Sequence, residues 1–260
     1  RVAIEETLLR DSDGKQVDYR AYSIPAARPV VFRANVTLNP AGKRWSGWRE
    51  ELVCPVTGLN NRQRAIAAFA QQLLVSSEHP VNDVYLTEQV TPLFQWMSSR
   101  FRTARIAGSE YLGADVPAGE IRDGIEHQDM EKLGLGSASV DLILSCDVLE
   151  HVNEPQAALG ELARVLRPEG HLLFTVPFLW DSKASRRRAR IANGALEHLV
   201  PPCYHGNPMD PNGSLAFFDH GWELLQWVRG AGFRDVSVIC YWSAALGHLG
   251  GMLEVFHARR

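Results

Sequence analysis

From residue 81 onward, short apolar runs alternate with segments whose apolar side chains recur three and four positions apart. That alternation of strand and helix periods builds a parallel sheet covered by helices. Val81–Leu86 reads as a first strand, and Thr91 followed by Pro92 gives an N-cap and a first-turn proline that open a helix through Phe101. Ala104–Glu110 reads as a second strand ending in a carboxylate, and Gly124–Gln128 as a short third strand ending at Asp129. Ser139–Cys146 is largely apolar and has the length of a strand buried on both faces, so it is expected at the centre of the sheet. Asn153, with Gln156 in capping-box position, starts a helix whose buried face is Ala158, Leu159, Leu162, Val165 and Leu166. Arg167-Pro168-Glu169-Gly170 stops that helix, and His171–Val176 follows as the next strand. After Asp219 comes a helix with Trp222, Leu225 and Val228 on one face. Val236–Tyr241 and Met252–His257 then read as strands at the C-terminal end, expected to pair antiparallel.

Residues 1–80 carry a weaker pattern. Val17–Tyr22 and Val30–Val36 suggest short strands in an irregular or β-rich lead, and Asn61–Leu74 a helix with Ile66, Phe69, Ala70 and Leu73 on one side. The expected organisation is therefore an N-terminal extension over 1–80 and an α/β domain over 81–260, a Rossmann-like, doubly wound, mainly parallel seven-stranded sheet.

Composition narrows the partners. The 27 Lys and Arg against 30 Asp and Glu, a net charge of −3 over 260 residues, give no global attraction to nucleic acid or an anionic membrane. No apolar run approaches the roughly 20 residues of a membrane helix, and the first residues hold no apolar signal-peptide core. Cys54, Cys146, Cys203 and Cys240 are scattered without paired spacing, which fits a reducing, cytoplasmic setting and neither a disulfide framework nor a four-thiolate zinc site. Cys54-Pro55-Val56-Thr57 is half of a metal knuckle, with a threonine where the second thiol belongs.

Asp141–Val152, with its Asp147-Val148-Leu149-Glu150-His151-Val152 turn, and Leu166–Leu173 resemble the fourth-to-fifth-strand region of class I S-adenosylmethionine-dependent methyltransferases, in the subgroup of the type 11-like domain. The resemblance covers about residues 80–260. It implies S-adenosylmethionine as cofactor, with Glu110 on the ribose hydroxyls, Asp129 on the adenine amino group, the Met130 N–H facing the ring, and Asp147 beside the cofactor. The departure is the cofactor loop, where the family has an acidic residue among glycines and this chain reads Leu86-Thr87-Glu88-Gln89-Val90-Thr91-Pro92. Glu88 keeps the acidic position, but the glycines that bring backbone N–H groups to the cofactor are gone. The Gln89 amide, the Thr91 hydroxyl and the helix N-terminus remain as donors. The dinucleotide pattern G-x-G-x-x-G is also missing, against an NAD oxidoreductase.

For the chemistry, His151 after the fourth strand and His205 in the Pro201–Pro208 insertion are the candidate bases, each with a bland alternative as a turn or loop histidine. Arg186, Arg187 and Arg190, with Tyr204, are candidate acceptor contacts, a solvated face being the alternative for the arginines. His198, His205 and Asp210 match no metal-ligand spacing, so no metal is expected. The Tyr204–Pro208 type of insertion resembles one in bacterial proteins that look as if they act on saccharides or small natural products, and that resemblance sets the expected acceptor. The competing expectation is a degenerate, non-catalytic module that binds a nucleotide or partner on the same scaffold.

Overall fold

The computed structural model describes residues 2–76 and 80–260 and separates into two compact units, Arg1–Ser77 with Val238–Val255, and Glu78–Ser237 with Phe256–Arg260. The residues just before the expected boundary at position 80, 77–79, lie outside the described residues. Residues 238–255, expected within the 81–260 domain, group with the N-terminal unit.

The first unit opens with helix α1 (Val2–Asp11), which the irregular or β-rich reading of this lead did not anticipate. An antiparallel hairpin follows, β1 (Gln16–Ser23) and β2 (Arg28–Asn35), in register from Gln16 opposite Asn35 to Ser23 opposite Arg28. Its alternation turns Val17, Ala21, Val30, Phe32 and Ala34 to one face, where they pack with Val36, Trp48, Leu52, Cys54 and Leu249. Full burial of each such larger apolar side chain stabilises the unit by roughly 1.5–3 kcal/mol. Helix α2 (Asn61–Ser76) buries Ala65, Ile66, Ala67 and Ala70.

Buried polar groups in this unit are tied to the main chain. The Asn61 amide donates to Trp48 O (2.9 Å) and Leu249 O (2.7 Å) and accepts from His248 Nδ1 at 2.6 Å. Arg64, fully buried, donates to Leu246 O (2.9 Å) and Gly247 O (2.6 Å), with its guanidinium 3.9 Å from the Phe32 ring centroid. Gly247 sits at φ +65°, and a Cβ there would come within 2.5 Å of the Phe32 ring, so only glycine serves.

The second unit is built on β3 (Asp83–Leu86), helix α3 (Pro92–Arg100), β4 (Arg105–Gly108), β5 (Val140–Cys146), helix α4 (Pro155–Val165), β6 (Leu166–Thr175) and helix α5 (Leu224–Gly230). With β7 (Arg234–Ser243) and β8 (His248–Arg259), the sheet runs β7-β8-β6-β5-β3-β4. β4, β3, β5 and β6 are parallel and β8 is antiparallel to β6, the mixed, mostly parallel Rossmann-like α/β arrangement expected. β5 lies at the centre, with Leu142, Ile143 and Leu144 fully buried.

Among the described residues the sheet has six strands, where seven were expected. The segment expected as the third strand supplies only Ile125–Glu126, paired with Ile121–Arg122 in a small hairpin. His127 N–H is drawn to Glu120 O (2.8 Å), which leaves a single parallel bridge, Glu110 to His127, toward the sheet. Two further local readings change. Helix α4 starts at Pro155 without a side-chain cap, because the Asn153 carbonyl oxygen Oδ1 accepts instead from Ile191 N (2.8 Å). Arg167–Gly170 belongs to β6, bulging between the Leu166–Val140 and His171–Leu142 pairs with Glu169 at φ +66°. The insertion after Pro177 forms three antiparallel pairs: Arg186–Arg187 with Phe218–Asp219, Ala189–Ala192 with Ala195–His198, and Tyr204–Asn207 with Asp210–Leu215. Among the described residues no helix is long and apolar enough to cross a membrane.

Candidate functional site

The C-terminal ends of β3, β4 and β5 lie side by side, the place where a doubly wound sheet opens a crevice. The loop leaving β3 is closed by its own hydrogen bonds. The buried Glu88 carboxylate takes the Thr87 hydroxyl (2.8 Å) and the Cys146 N–H (3.3 Å), so it faces the end of β5. Gln89 spends its side chain on Gly124 O (2.9 Å) and Glu126 N (3.1 Å). Thr91 caps α3, its Oγ1 accepting from Phe94 N at 3.3 Å. Helix α3 can press this close to β4 because Gly108 has no Cβ; one would stand 2.7 Å from the Phe94 ring.

Glu110 follows β4 in the strand-end position expected of a ribose carboxylate. Its Oε1 accepts from Gln89 N (2.7 Å) and Val90 N (2.8 Å), which fixes the carboxylate and uses both lone pairs of that oxygen. Burial pushes the Glu110 carboxyl above its ordinary range, and the two amides pull it partly back. Asp129 ends the next segment and caps the turn beyond it, its Oδ1 accepting from Glu131 N (2.8 Å), while Met130 is buried beside it. Asp147, at φ +55°, accepts from the Thr175 hydroxyl (2.8 Å). The donor set therefore fits the nucleoside end of S-adenosylmethionine: Glu110 keeps its second oxygen for ribose hydroxyls, and Asp129 ends the segment expected at the adenine. At the methionine end, Glu88 and Thr91 are engaged within the chain.

Beyond β5 a short turn, Leu149–His151, brings forward Glu150 and His151, and the Tyr204–Asn207 strand delivers His205 to the same place. The Glu150 side chain is 1% exposed. His151 Nε2 stands 3.7 Å and His205 Nδ1 3.4 Å from Glu150 Oε1, and the two rings meet edge to face with centroids 5.0 Å apart. His151 Nδ1 lies 2.8 Å from Leu215 O, so it donates there and the ring is held with Nε2 toward the carboxylate. The nearby Glu150 carboxylate holds the His205 imidazole above its ordinary pKa, against the opposing effect of burial. The two histidines named from sequence are thus brought together; Glu150, which joins them, was not. Its signal is a charged residue between Leu149 and His151, directly after a strand end.

The arginines after β6 are distributed differently. Arg186 pairs with Asp219, Arg187 with Glu154 (3.1 Å) while stacking over Phe218 (4.6 Å), and Arg190 with Glu197 (2.7 Å). They stand on short strands and each has a carboxylate partner in the chain. Tyr204 is exposed, one residue from His205. His198 and Asp210 are exposed and lie outside the Glu150, His151 and His205 group.

The family model described as a methyltransferase domain matches residues 97–174. Over 47 residues the chain is 45% identical to a malonyl-[acyl-carrier protein] O-methyltransferase of a Methylovorus species, which covers 18% of this chain and 16% of that protein. Over 76 residues it is 36% identical to a probable S-adenosylmethionine-dependent methyltransferase of Mycolicibacterium smegmatis, covering 28% and 30%. The matches thus span less than a third of these curated relatives. Among solved structures, an S-adenosylmethionine-dependent methyltransferase from Mesorhizobium loti aligns at 17% identity and a TM-score of 0.47, over 74% of this chain and 97% of that one. The similarity to methyltransferase domains thus lies in residues 97–174, from helix α3 to the end of β6.

Proposed function

We propose that the chain is an S-adenosylmethionine-dependent methyltransferase that acts on a hydroxyl of a small-molecule or saccharide acceptor. The observation that carries this reading is Glu110, a strand-end carboxylate fixed by the Gln89 and Val90 amides with one oxygen left for a ribose. S-adenosylmethionine supplies a methyl group made electrophilic by its sulfonium. This chain's residues hold the nucleoside through Glu110 and the Asp129-Met130 segment, beside Asp147. They orient the acceptor at the end of β5, where alignment supplies much of the acceleration. His151 and His205, with Glu150 between them, receive the hydroxyl and its proton on the acceptor side. Arg186, Arg187, Arg190 and Tyr204 edge the same insertion, and the acceptor reaches them once it extends beyond its reacting hydroxyl.

Calorimetry with S-adenosylmethionine and S-adenosylhomocysteine tests the cofactor, and transfer of labelled methyl to hydroxylated acceptors tests the reaction. Glu110→Ala should weaken cofactor binding at least tenfold; unchanged affinity removes the assignment. The self-bonded loop from Glu88 to Pro92 favours one second reading, a non-catalytic binding module on this scaffold. Cofactor binding that depends on Glu110, without turnover on any acceptor, is its signature.

A further inference from the structure

The acceptor-side cluster poses a chemical problem that the methyl-transfer reading does not resolve. Glu150 is buried, and neither of its carboxylate oxygens accepts a side-chain or main-chain hydrogen bond from the described residues. A charge withdrawn from water in this way is costly unless something compensates it. What faces it is two imidazole nitrogens, neither at hydrogen-bonding distance. His151 is oriented by its Nδ1, 2.8 Å from Leu215 O, so that Nε2 points at Oε1 from 3.7 Å. His205 Nδ1 approaches the same oxygen at 3.4 Å, too far for a good hydrogen bond. All three ligand atoms lie within 4.8 Å of one another.

We propose that Glu150, His151 and His205 form a binding site for one divalent transition-metal ion of the zinc type. A cation with bonds of about 2.0–2.2 Å in tetrahedral geometry sets its ligand atoms ~3.4 Å apart, close to the two nitrogen-to-Oε1 distances of 3.4 and 3.7 Å. The Leu215 carbonyl supplies the outer contact that metal-bound histidines ordinarily have, fixing the tautomer and the ring. Two imidazoles and a carboxylate suit zinc, cobalt or iron, and they suit magnesium or calcium poorly. Electrostatics agree: Asp147 adds negative charge near His205, and Arg188, the cation acting on that ring, is itself paired with Asp219 at 2.8 Å. His205 remains about one-third exposed, so an ion can enter.

Three protein ligands leave at least one position open, as catalytic sites do. That position lies on the acceptor side of the crevice, and this role, though not the metal binding itself, rests on the methyl-transfer reading. With the ion bound, His151 and His205 are ligands and no longer bases: a hydroxyl at the open position is acidified by the metal and releases its proton to solvent. Its oxygen then takes the methyl carbon as the carbon–sulfur electron pair returns to sulfur, giving an ether and a neutral thioether. The substrate class this selects is an alcohol or vicinal diol able to ligate the ion.

The test is a cobalt(II) titration of the full chain after chelator dialysis, followed by d–d absorption and calorimetry, with zinc as competitor. One ion per chain is expected, without a thiolate charge-transfer band, and Glu150→Gln, His151→Ala and His205→Ala should each weaken binding at least tenfold. The control His198→Ala, an exposed histidine of the same insertion, should bind like the parent. Because Glu150→Gln is nearly isosteric, it is expected to keep the parent's circular dichroism; the same fold with loss of cobalt supports the site. A thiolate band, parental affinity in all three variants, or no saturable binding overturns the proposal. Cobalt binding without any S-adenosylmethionine binding would leave the metal site standing and remove the methyl-transfer reading; the reverse result would remove only the metal.

Discussion

Both units bury polar side chains, but they do so in opposite ways. In the N-terminal unit, Asn61 and Arg64 donate to main-chain carbonyls and His248 donates to Asn61, so each side chain repays part of its lost hydration. In the second unit, Glu150 is equally buried, and the imidazole nitrogens facing it stand 3.4 and 3.7 Å away. The first arrangement fastens a hairpin to a helix. The second keeps a charge short of partners, at a cost to folding that a ligand can recover. Satisfied burial marks architecture, and unsatisfied burial marks a place where chemistry is expected.

The strongest way to break this comparison is Glu150→Gln. Removal of the acid should lower methyl transfer by roughly 100-fold or more, while the melting temperature holds or rises because an uncompensated charge is gone. A large loss of stability with unchanged turnover would make Glu150 another fastener. Next, Asn61→Ala strips one buried amide of three hydrogen bonds, and roughly 3 kcal/mol of unfolding free energy should disappear in urea titrations. A loss below ~1 kcal/mol would mean that the network is ornamental.

Acidification sharpens the contrast on the architectural side. Burial, helped by Arg64, pushes the His248 imidazole down to about 3, whereas an unfolded histidine titrates near 6.5. The unfolded chain therefore takes up the proton first. His248's contribution is intact above roughly pH 6.5 and falls by about 1.4 kcal/mol per pH unit as the pH drops toward 3. Comparing the parent with His248→Gln from pH 7 to pH 5 isolates that slope, and parallel curves would sink the assignment. The smallest effect belongs to Arg190, whose partner Glu197 is as exposed as itself. Arg190→Ala should shift stability by less than ~0.5 kcal/mol. A change in acceptor KM at constant stability would return Arg190 to the acceptor surface.

Legibility in the sequence followed how far each residue's environment is set by its neighbours along the chain. The apolar run Val140–Cys146 declares a buried strand by itself, and Glu110 declares its position by following the strand that ends at Gly108. α1 was hidden because its fixing contact, Glu5 to Gly250 N (2.7 Å), comes from 245 residues away. The third strand failed because one bond from His127 to Glu120 diverts the ladder, a competition that β propensity does not encode. Asn153 offered a good capping pattern, but Ile191 claimed its oxygen. At the site the two histidines stood out by type and place. Glu150 did not, because a glutamate in a turn is usually solvated, and only the fold reveals that this one is not.

The N-terminal unit is discontinuous, and that has a consequence in time. Its hairpin and helix are made first, but Leu246, Gly247 and Leu249, whose carbonyls accept from Arg64 and Asn61, come some 180 residues after those donors in the chain. At 5–20 residues per second, a ribosome needs roughly ten to forty seconds to deliver them. For that interval the nascent segment holds Phe32 and its neighbours without Leu249 to close the core, so this end of the protein is where a chaperone has the longest opportunity to bind.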